Sequence, residues 1–198
     1  MDYQIARAKK AVSAMMLDRG FLPLGRLADP TESTSKEPVS WDFAHEKNPD
    51  KLAHVFWSLK TESKMSFVQH VFSEAATGKL SQVVIIVEKP LVSKAKTTVN
   101  SIAKIVNTTV FELSDVQFRK PSHILIPPHR LMSEEEKRET LEKYSLEAKD
   151  CPRISSTDPV TQWYGWVIGD MIEIKRPEGT FKKDATYRIV WDSETLSE

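Results

Sequence analysis

The sequence predicts a mixed α/β chain, α+β overall, in two domains: residues 1–120 and residues 121–198. Three observations predict it. Between residues 52 and 118, apolar patterns of strand and helix period alternate, which is the order of an α/β layer domain. Within that stretch, Val83 to Val87 is an uninterrupted β-branched run, and such a run needs cover on both faces of a sheet. After Pro121 and the Pro127-Pro128 pair, the pattern becomes helix, strand, loop, strand, a small α+β unit.

Each element has its own justification. Asp2 to Arg19 is predicted helical, because Ile5, Ala8, Val12 and Met15/Met16 recur on one face and Gly20 can end it. Arg7, Lys9, Lys10 and Arg19 fall off or at the margin of that face. Leu27 to Pro38, rich in Pro, Ser, Thr and charge, is predicted to be a mobile loop. Trp41 and Phe43 predict a short strand, and Leu52 to Leu59 a second. Ser63 to Thr77 has helical spacing at Met65, Val68, Val71/Phe72 and Ala75, with Gly78 to end it. Gln82 to Glu88 is predicted as a strand in the middle of the sheet. Ser93 to Val106 returns to helical period, and Thr108 to Leu113 and Val116 to Phe118 read as strands.

The prolines of the second domain predict an extended boundary segment. Ser133 followed by Glu136 is a capping box. Glutamates in the first turn and Lys143 in the last suit the helix dipole, and Glu134–Arg138 and Glu139–Lys143 are spaced to pair. The apolar face of that helix, Leu141 and Tyr144, is thin, which predicts a helix at the domain edge or one packed on a partner. Asp158 caps and Pro159 opens a second, short helix that Gly165 ends. Gly169-Asp170 is a turn, and Met171 to Lys175 is a strand with Ile172 and Ile174 on one face. Pro177-Glu178-Gly179 marks another turn. Tyr187, Ile189 and Trp191 alternate with Arg188 and Val190, predicting a half-buried final strand.

Composition narrows the function classes. The single cysteine, Cys151, cannot form an internal disulfide, so a reducing compartment and a small buried or loop thiol are expected. No apolar run is long enough to span a bilayer, and the amphipathic N-terminus lacks a signal-peptide core, so no membrane association is expected. A net charge of zero hides +4 over residues 1–120 and −4 over 121–198, a front half mild enough only for weak contact with a polyanion. Neither a phosphate loop, nor a dinucleotide glycine motif, nor a nucleophile elbow is present. His123 and His129 are six apart with Cys151 well downstream, which fits no zinc spacing. No catalytic residue, metal, cofactor or small-molecule substrate is therefore expected.

A set of short motifs carries a resemblance. In order they are His123-x-x-Ile126-Pro127-x-His129, the Ser133 to Arg138 helix start, Pro152-Arg153-Ile154, Asp158-Pro159-Val160, Tyr164-Gly165, Gly169-Asp170 with Ile172 to Ile174, and Tyr187 to Val190. Together they resemble the assembly domain of the fifth subunit of eukaryotic nuclear RNA polymerases, a family that includes an archaeal counterpart. Asp18-Arg19-Gly20-Phe21 resembles the same family's helix-end motif. The order of elements in residues 22–118 resembles its jaw domain, which has endonuclease-like topology. The resemblance implies a non-catalytic subunit of DNA-dependent RNA polymerase. Its C-terminal assembly domain would anchor to the largest subunit among the other polymerase subunits. Its N-terminal jaw would lie near downstream DNA, touching it weakly and without sequence preference. It implies the nucleus, or the cytoplasm or a virion for a viral polymerase.

Two residue sets follow. Lys89, Ser93, Lys94, Lys96 and Lys104 surround the start of a predicted helix, a place where phosphates are held. Where the family has Thr-Pro-Ser-Ala, this chain has Leu91-Val92-Ser93-Lys94 and keeps only the serine. For the partner interface, the resemblance points to His129, Arg153, Asp158, Tyr164, Trp166 and Arg188. Trp163, Tyr164, Trp166, Phe181, Tyr187 and Trp191 are more aromatics than so small a domain can bury, which suits a permanent interface. Where the family has a basic residue before Gly169, Trp166-Val167-Ile168 stand here. Two rivals remain. A stand-alone metal-dependent nuclease needs an acid-x-Lys strand beside a second carboxylate, but the jaw strand ends Glu88-Lys89-Pro90 and the one strand Glu-x-Lys is Glu173-Ile174-Lys175. A free adaptor derived from the polymerase subunit needs only the assembly domain.

Overall fold

The computed structural model describes residues 2–32, 39–59, 64–175 and 185–192. The chain divides into two compact units, Met1–Arg119 and Lys120–Glu198. Both mix helices and sheets, as the fold class requires.

The N-terminal unit is a five-stranded sheet in the order β1-β2-β3-β4-β5: Phe21–Pro23, Val39–His45, Asn48–Ser58, Leu80–Val87 and Asn107–Glu112. β1, β2 and β3 are antiparallel, whereas β3, β4 and β5 run parallel. Parallel neighbours need helical crossovers, and α2 (Lys64–Ala75) and α3 (Ser93–Ala103) supply them. Their apolar faces close on Phe56, Val83, Ile85 and Val87 through Phe67, Val68, Val71, Ala95, Val99 and Ile102. α1 (Asp2–Asp18) buries Ile5, Ala8, Val12, Met15 and Met16. It lies on the opposite face, because Arg19 at its end donates to Gln82 Oε1 (3.0 Å), a side chain that alternates with Val83. Both faces of β4 are thus covered, and Val83 to Val87 are all buried.

Gly20 turns the chain from α1 into β1 with φ of +80°, and a Cβ there would meet His45 Nε2 at 3.3 Å. The segment expected to be a mobile loop is tied down over its described part. Lys9 pairs with Asp29 at 2.9 Å, and Trp41 Nε1 donates to the Ala28 carbonyl at 2.8 Å. Residues 33–38 of that segment lie outside the described residues. Val116 to Phe118 form no strand. The Glu112 N–H donates to Asp115 Oδ2 (3.0 Å) and Gln117 Nε2 to the Leu113 carbonyl (2.5 Å), closing a turn that buries Val116.

The C-terminal unit is a four-stranded sheet in the order β6-β8-β9-β7: His129–Leu131, Met171–Ile174, Thr186–Trp191 and Arg153–Ser155. β8 is antiparallel to β6 and β9, while β7 runs parallel to β9. One face gathers Ile154, Ile172, Ile174 and Val190 under Trp166. The other gathers Met132, Cys151, Met171 and Ile189 under Leu141 and Tyr187. β9 is therefore covered on both faces rather than half-buried as its alternation suggested: Ile189 and Val190 are both buried. The turn expected at Pro177 to Gly179 and the side chain of Phe181 lie outside the described residues.

α4 (Glu134–Tyr144) has both halves of its capping box: Glu136 N–H to Ser133 Oγ at 3.2 Å and Ser133 N–H to Glu136 Oε2 at 2.8 Å. It buries no residue, in line with its thin apolar face. Its charges do not make the expected pairs four residues apart. Glu134 meets Lys137 three residues on, still at helical spacing, and Glu136 meets Arg130 of the neighbouring β6. The boundary segment is not extended. Pro121 sits in a 3-10 turn, Lys120–Ser122, and Ile126 N–H donates back to the His123 carbonyl at 2.9 Å. Proline's fixed φ fits that turn as well as an extended chain. α5 (Pro159–Tyr164) is capped by Asp158, which accepts from Val160 N–H at 2.8 Å.

Candidate functional site

The lysine set belongs to the N-terminal unit, and helix geometry divides it. α3 starts at Ser93 without a side-chain cap, so its first N–H groups meet no side-chain acceptor from Val92. Lys94 and Lys96 are exposed in its first turn, with the buried Ala95 between them. Residues two apart point to nearly opposite sides of a helix, so the two ammonium groups do not converge. Lys89 is exposed in the loop before the helix. Lys104 does not join them. It stands at the other end of α3 as its C-cap, about 15 Å away at the helical rise of ~1.5 Å per residue. What Lys104 shares with Lys94 is a side of the helix, since Lys94, Thr97/Thr98, Ser101 and Lys104 follow at helical spacing. Charge density on this element is real nonetheless: no acidic residue occurs between Glu88 and Glu112.

The partner set belongs to the C-terminal unit and also splits. His129 pairs with Ile174 and Arg188 with Ile172, so both lie on the sheet face that carries Trp166. Tyr164 stacks on Trp166 with ring centroids 4.6 Å apart and planes 12° apart. These four residues share one side of the unit. Arg153 does not: it pairs with Ile189 on the opposite face, where its guanidinium lies 4.2 Å over the Trp191 ring. Arg188 still touches Arg153, donating to its carbonyl oxygen at 3.1 Å. Asp158 is committed to capping α5. His129 Nδ1 lies 2.6 Å from the Pro127 carbonyl, an interaction that fixes the turn.

The aromatic surplus resolves unevenly. Trp163 is fully buried in the unit's own core. Tyr164, Trp166, Tyr187 and Trp191 are half-buried. Thr161 Oγ1 and Trp191 Nε1 are buried polar atoms with no hydrogen-bond partner among the described residues.

Sequence reasoning missed the two most exposed large apolar side chains among the described residues, although it had noted Val167 and Ile168. Ile124 is 94% exposed and Leu125 81%, on the turn before β6. Val167 and Ile168 stand exposed before Gly169, and Leu131 is exposed on β6, on the Trp166 face. The signal was available: Ile124-Leu125-Ile126 is an apolar run in a segment whose prolines forbid it a regular, buried element.

Electrostatics in the unit concentrate at β6. Arg130 holds Glu136 and Glu173 at 2.9 Å each. Arg130 first, then the Ser133 N–H, pulls the Glu136 carboxyl below the usual range. Those two carboxylates likewise raise Arg130. Burial raises Asp170, whose carboxylate accepts from Val167 N–H at 2.8 Å. Burial also raises the Cys151 thiol, which donates to the Glu147 carbonyl at 3.6 Å. Glu173 of the strand Glu-x-Lys is thus occupied by Arg130, with Lys175 at 3.7 Å. Among the described residues, no three His, Cys, Asp or Glu side chains are grouped to hold a metal.

This geometry offers interaction surfaces, and comparison with known proteins gives them a context. Residues 118–190 match the family model described as RNA polymerase Rpb5, C-terminal domain. That span begins at the junction of the two compact units. A 76-residue stretch is 41% identical to DNA-directed RNA polymerase subunit Rpo5 of the archaeon Methanothrix thermoacetophila, covering 97% of that protein and 38% of this chain. The chain belongs to the Rpb5 family of RNA polymerase subunits. It is also 28% identical over 202 residues to the subunit RPABC1 of DNA-directed RNA polymerases I, II and III from Caenorhabditis briggsae, covering 95% of this chain and 96% of that one. Over 81 residues it is 33% identical to subunit 5B of RNA polymerases IV and V from Arabidopsis thaliana, 41% of this chain and 37% of that one. The Rpb5 family match over residues 118–190 takes in β6 to β8, α4, α5 and all of β9 but Trp191.

Proposed function

We propose that the chain is a non-catalytic subunit of a nuclear DNA-dependent RNA polymerase. The C-terminal unit anchors it to the largest subunit, and the N-terminal unit lies as a jaw near downstream DNA. The observation that carries this reading is the alignment of a subunit of polymerases I, II and III along 95% of the chain, both units included. An archaeal Rpo5 aligned over 76 residues supports the C-terminal unit as the part that suffices for assembly. The anchoring face is the one bearing Trp166, Tyr164, His129 and Arg188, extended by Leu131. Aromatic and aliphatic groups there gain by burial in a partner, and the basic groups at the rim set orientation. Near DNA, Lys89, Lys94 and Lys96 act through charge, so the contact is weak, salt-dependent and indifferent to sequence.

Affinity isolation of the tagged full chain from nuclear extract, with mass identification, tests the assignment. Very large polymerase subunits at equal stoichiometry are expected, and a solitary chain rejects it. Leu131→Asp places a charge on an exposed side chain of the anchoring face. It is expected to lower co-isolation at least tenfold with the circular dichroism of the free chain unchanged, since a desolvated, unpaired charge costs roughly 2–5 kcal/mol at an interface.

A further inference from the structure

The outer side of the N-terminal unit holds a cleft between α2 and α3. Gln69 and Phe72 line it from α2, and Thr97, Thr98 and Ser101 from α3, around a volume of about 330 Å³. Phe72 is 37% exposed although it sits on a helix whose other aromatic, Phe67, is buried. The three hydroxyls donate to carbonyls of their own helix, at 3.2, 3.3 and 3.2 Å. The wall they form is therefore smooth and chemically quiet. Lys94 lies one turn before Thr98, and Lys104 one turn after Ser101. The cleft is thus apolar at its middle and positive at both ends, with the ammonium-bearing positions about 15 Å apart along α3. Nothing on α3 offsets them, since the chain has no carboxylate from residue 89 to residue 111.

We propose that this cleft docks a short acidic amphipathic helix of a partner protein. An aromatic or aliphatic side chain of that helix packs on Phe72, and carboxylates near its two ends meet Lys94 and Lys104. Charge complementarity selects the sign of the ligand, and the apolar floor selects its class. A nucleic-acid backbone gains at the lysines but has nothing to place on Phe72. A helix offers both, with an apolar anchor inside a polar rim. About ten residues of helix span the distance between the lysines at ~1.5 Å per residue. This site shares no residue with the anchoring face of the C-terminal unit, so either can fail alone; it shares Lys94 with the proposed DNA contact, and the duplex arm of the test separates those two.

The test uses the isotopically labelled full chain. The probe is a fluorescein-labelled helical peptide of roughly three turns, with Glu at both ends and a Phe-Leu pair at the centre. Binding is expected to shift the amide resonances of Gln69, Phe72, Thr97, Thr98 and Ser101. Exchanging the central Phe for Ser in the peptide, or Lys94→Glu with Lys104→Glu in the protein, is expected to weaken anisotropy-detected binding about tenfold. Ser101→Arg, at an exposed position, fills the cleft while adding positive charge, and is expected to weaken binding as well. Four results overturn the proposal. Tighter binding to Ser101→Arg, or equal binding of the Ser peptide, means that charge alone is at work. A short DNA duplex that shifts the same resonances and displaces the peptide makes the surface a nucleic-acid contact. Unshifted resonances at saturating peptide leave the cleft unoccupied.

Discussion

The two units are held together by different means. In the N-terminal sheet, β4 is buried along its whole apolar run, and helices with well-buried faces close both sides. In the C-terminal sheet, the helix over one face buries none of its residues, and the half-buried Trp166 packs on the other. What holds α4 is polar: a capping box, the Arg130 ion pairs and a bond from Lys137 Nζ to the Gly169 carbonyl at 2.9 Å. Among the described residues the helical cover of this unit is thinner than that of the N-terminal one: α4 buries nothing, and the six-residue α5 buries Val160, Thr161 and Trp163. Its exposed Leu131, Ile124, Leu125, Val167 and Ile168 are then the apolar surface left over. The difference teaches where each unit's stability resides, and it makes the C-terminal unit the one with most to gain from a partner.

Truncating a matched pair of isoleucines gives the largest expected effect and a direct break of the comparison. Ile85 and Ile172 are both fully buried strand residues. Ile85 lies under the packed α2–α3 layer, where neighbours cannot relax into a cavity, so Ile85→Ala is expected to cost about 4 kcal/mol. Ile172 belongs to a smaller cluster of four buried residues on which the half-buried Trp166 packs, so Ile172→Ala is expected to cost about 2 kcal/mol. Urea unfolding followed by amide exchange reads the units separately, which matters because a chain of two units need not unfold in one step. Equal costs would mean that the C-terminal cover is as rigid as a helical layer.

Next in size is the capping box. Ser133→Ala removes the acceptor for Glu136 N–H at the start of a helix that buries nothing, and is expected to cost about 1 kcal/mol. The loss should appear as faster exchange in the first turn of α4, with the N-terminal unit unaffected. No change would mean that Arg130 and Lys137 alone hold the helix.

How far the sequence carried depends on element length. Long segments were legible: α1, α2, α3 and β4 lie within three residues of their expected ends, because the helices repeat their apolar spacing several times and β4 is an unbroken apolar run. β1, β6 and β7, each of three residues, were not expected, since so short a strand shows less than two periods. The opposite error came at Val116 to Phe118, where a buried valine in a turn imitates a strand. The grouping of the candidate residues changes for a related reason. Nearness in sequence gathered Lys104 with Lys94, and the resemblance gathered Arg153 with Arg188, but the helical rise and the strand pleat separate them. Asp158 was legible as a cap and is fully explained as one. Ile124 and Leu125 went unread because a surface apolar run looks like core until the chain around it is placed.

The smallest expected effect tests whether polar ties also matter to the N-terminal unit. Asp29 accepts from the Thr31 N–H at 3.0 Å and from Lys9 at 2.9 Å, and pins the start of the loop to α1. The backbone bond from Thr31 first, then Lys9, lowers its pKa to about 2 from 3.8. A carboxyl lowered in the folded state stabilises that state above its unfolded pKa, and the contribution vanishes as the pH falls through the folded value. The window therefore runs from about pH 4 down to about pH 2. The side chain is 44% exposed, so solvent screening keeps the tie to roughly 0.5 kcal/mol. Asp29→Asn should lower the stability of the N-terminal unit by that amount at pH 6, and the difference from the parent chain should close toward pH 2. Thermal unfolding of both chains across this range measures it. A difference that stays constant with pH would assign the effect to the shape of the loop, because only the ionised carboxylate can carry a pH-dependent part.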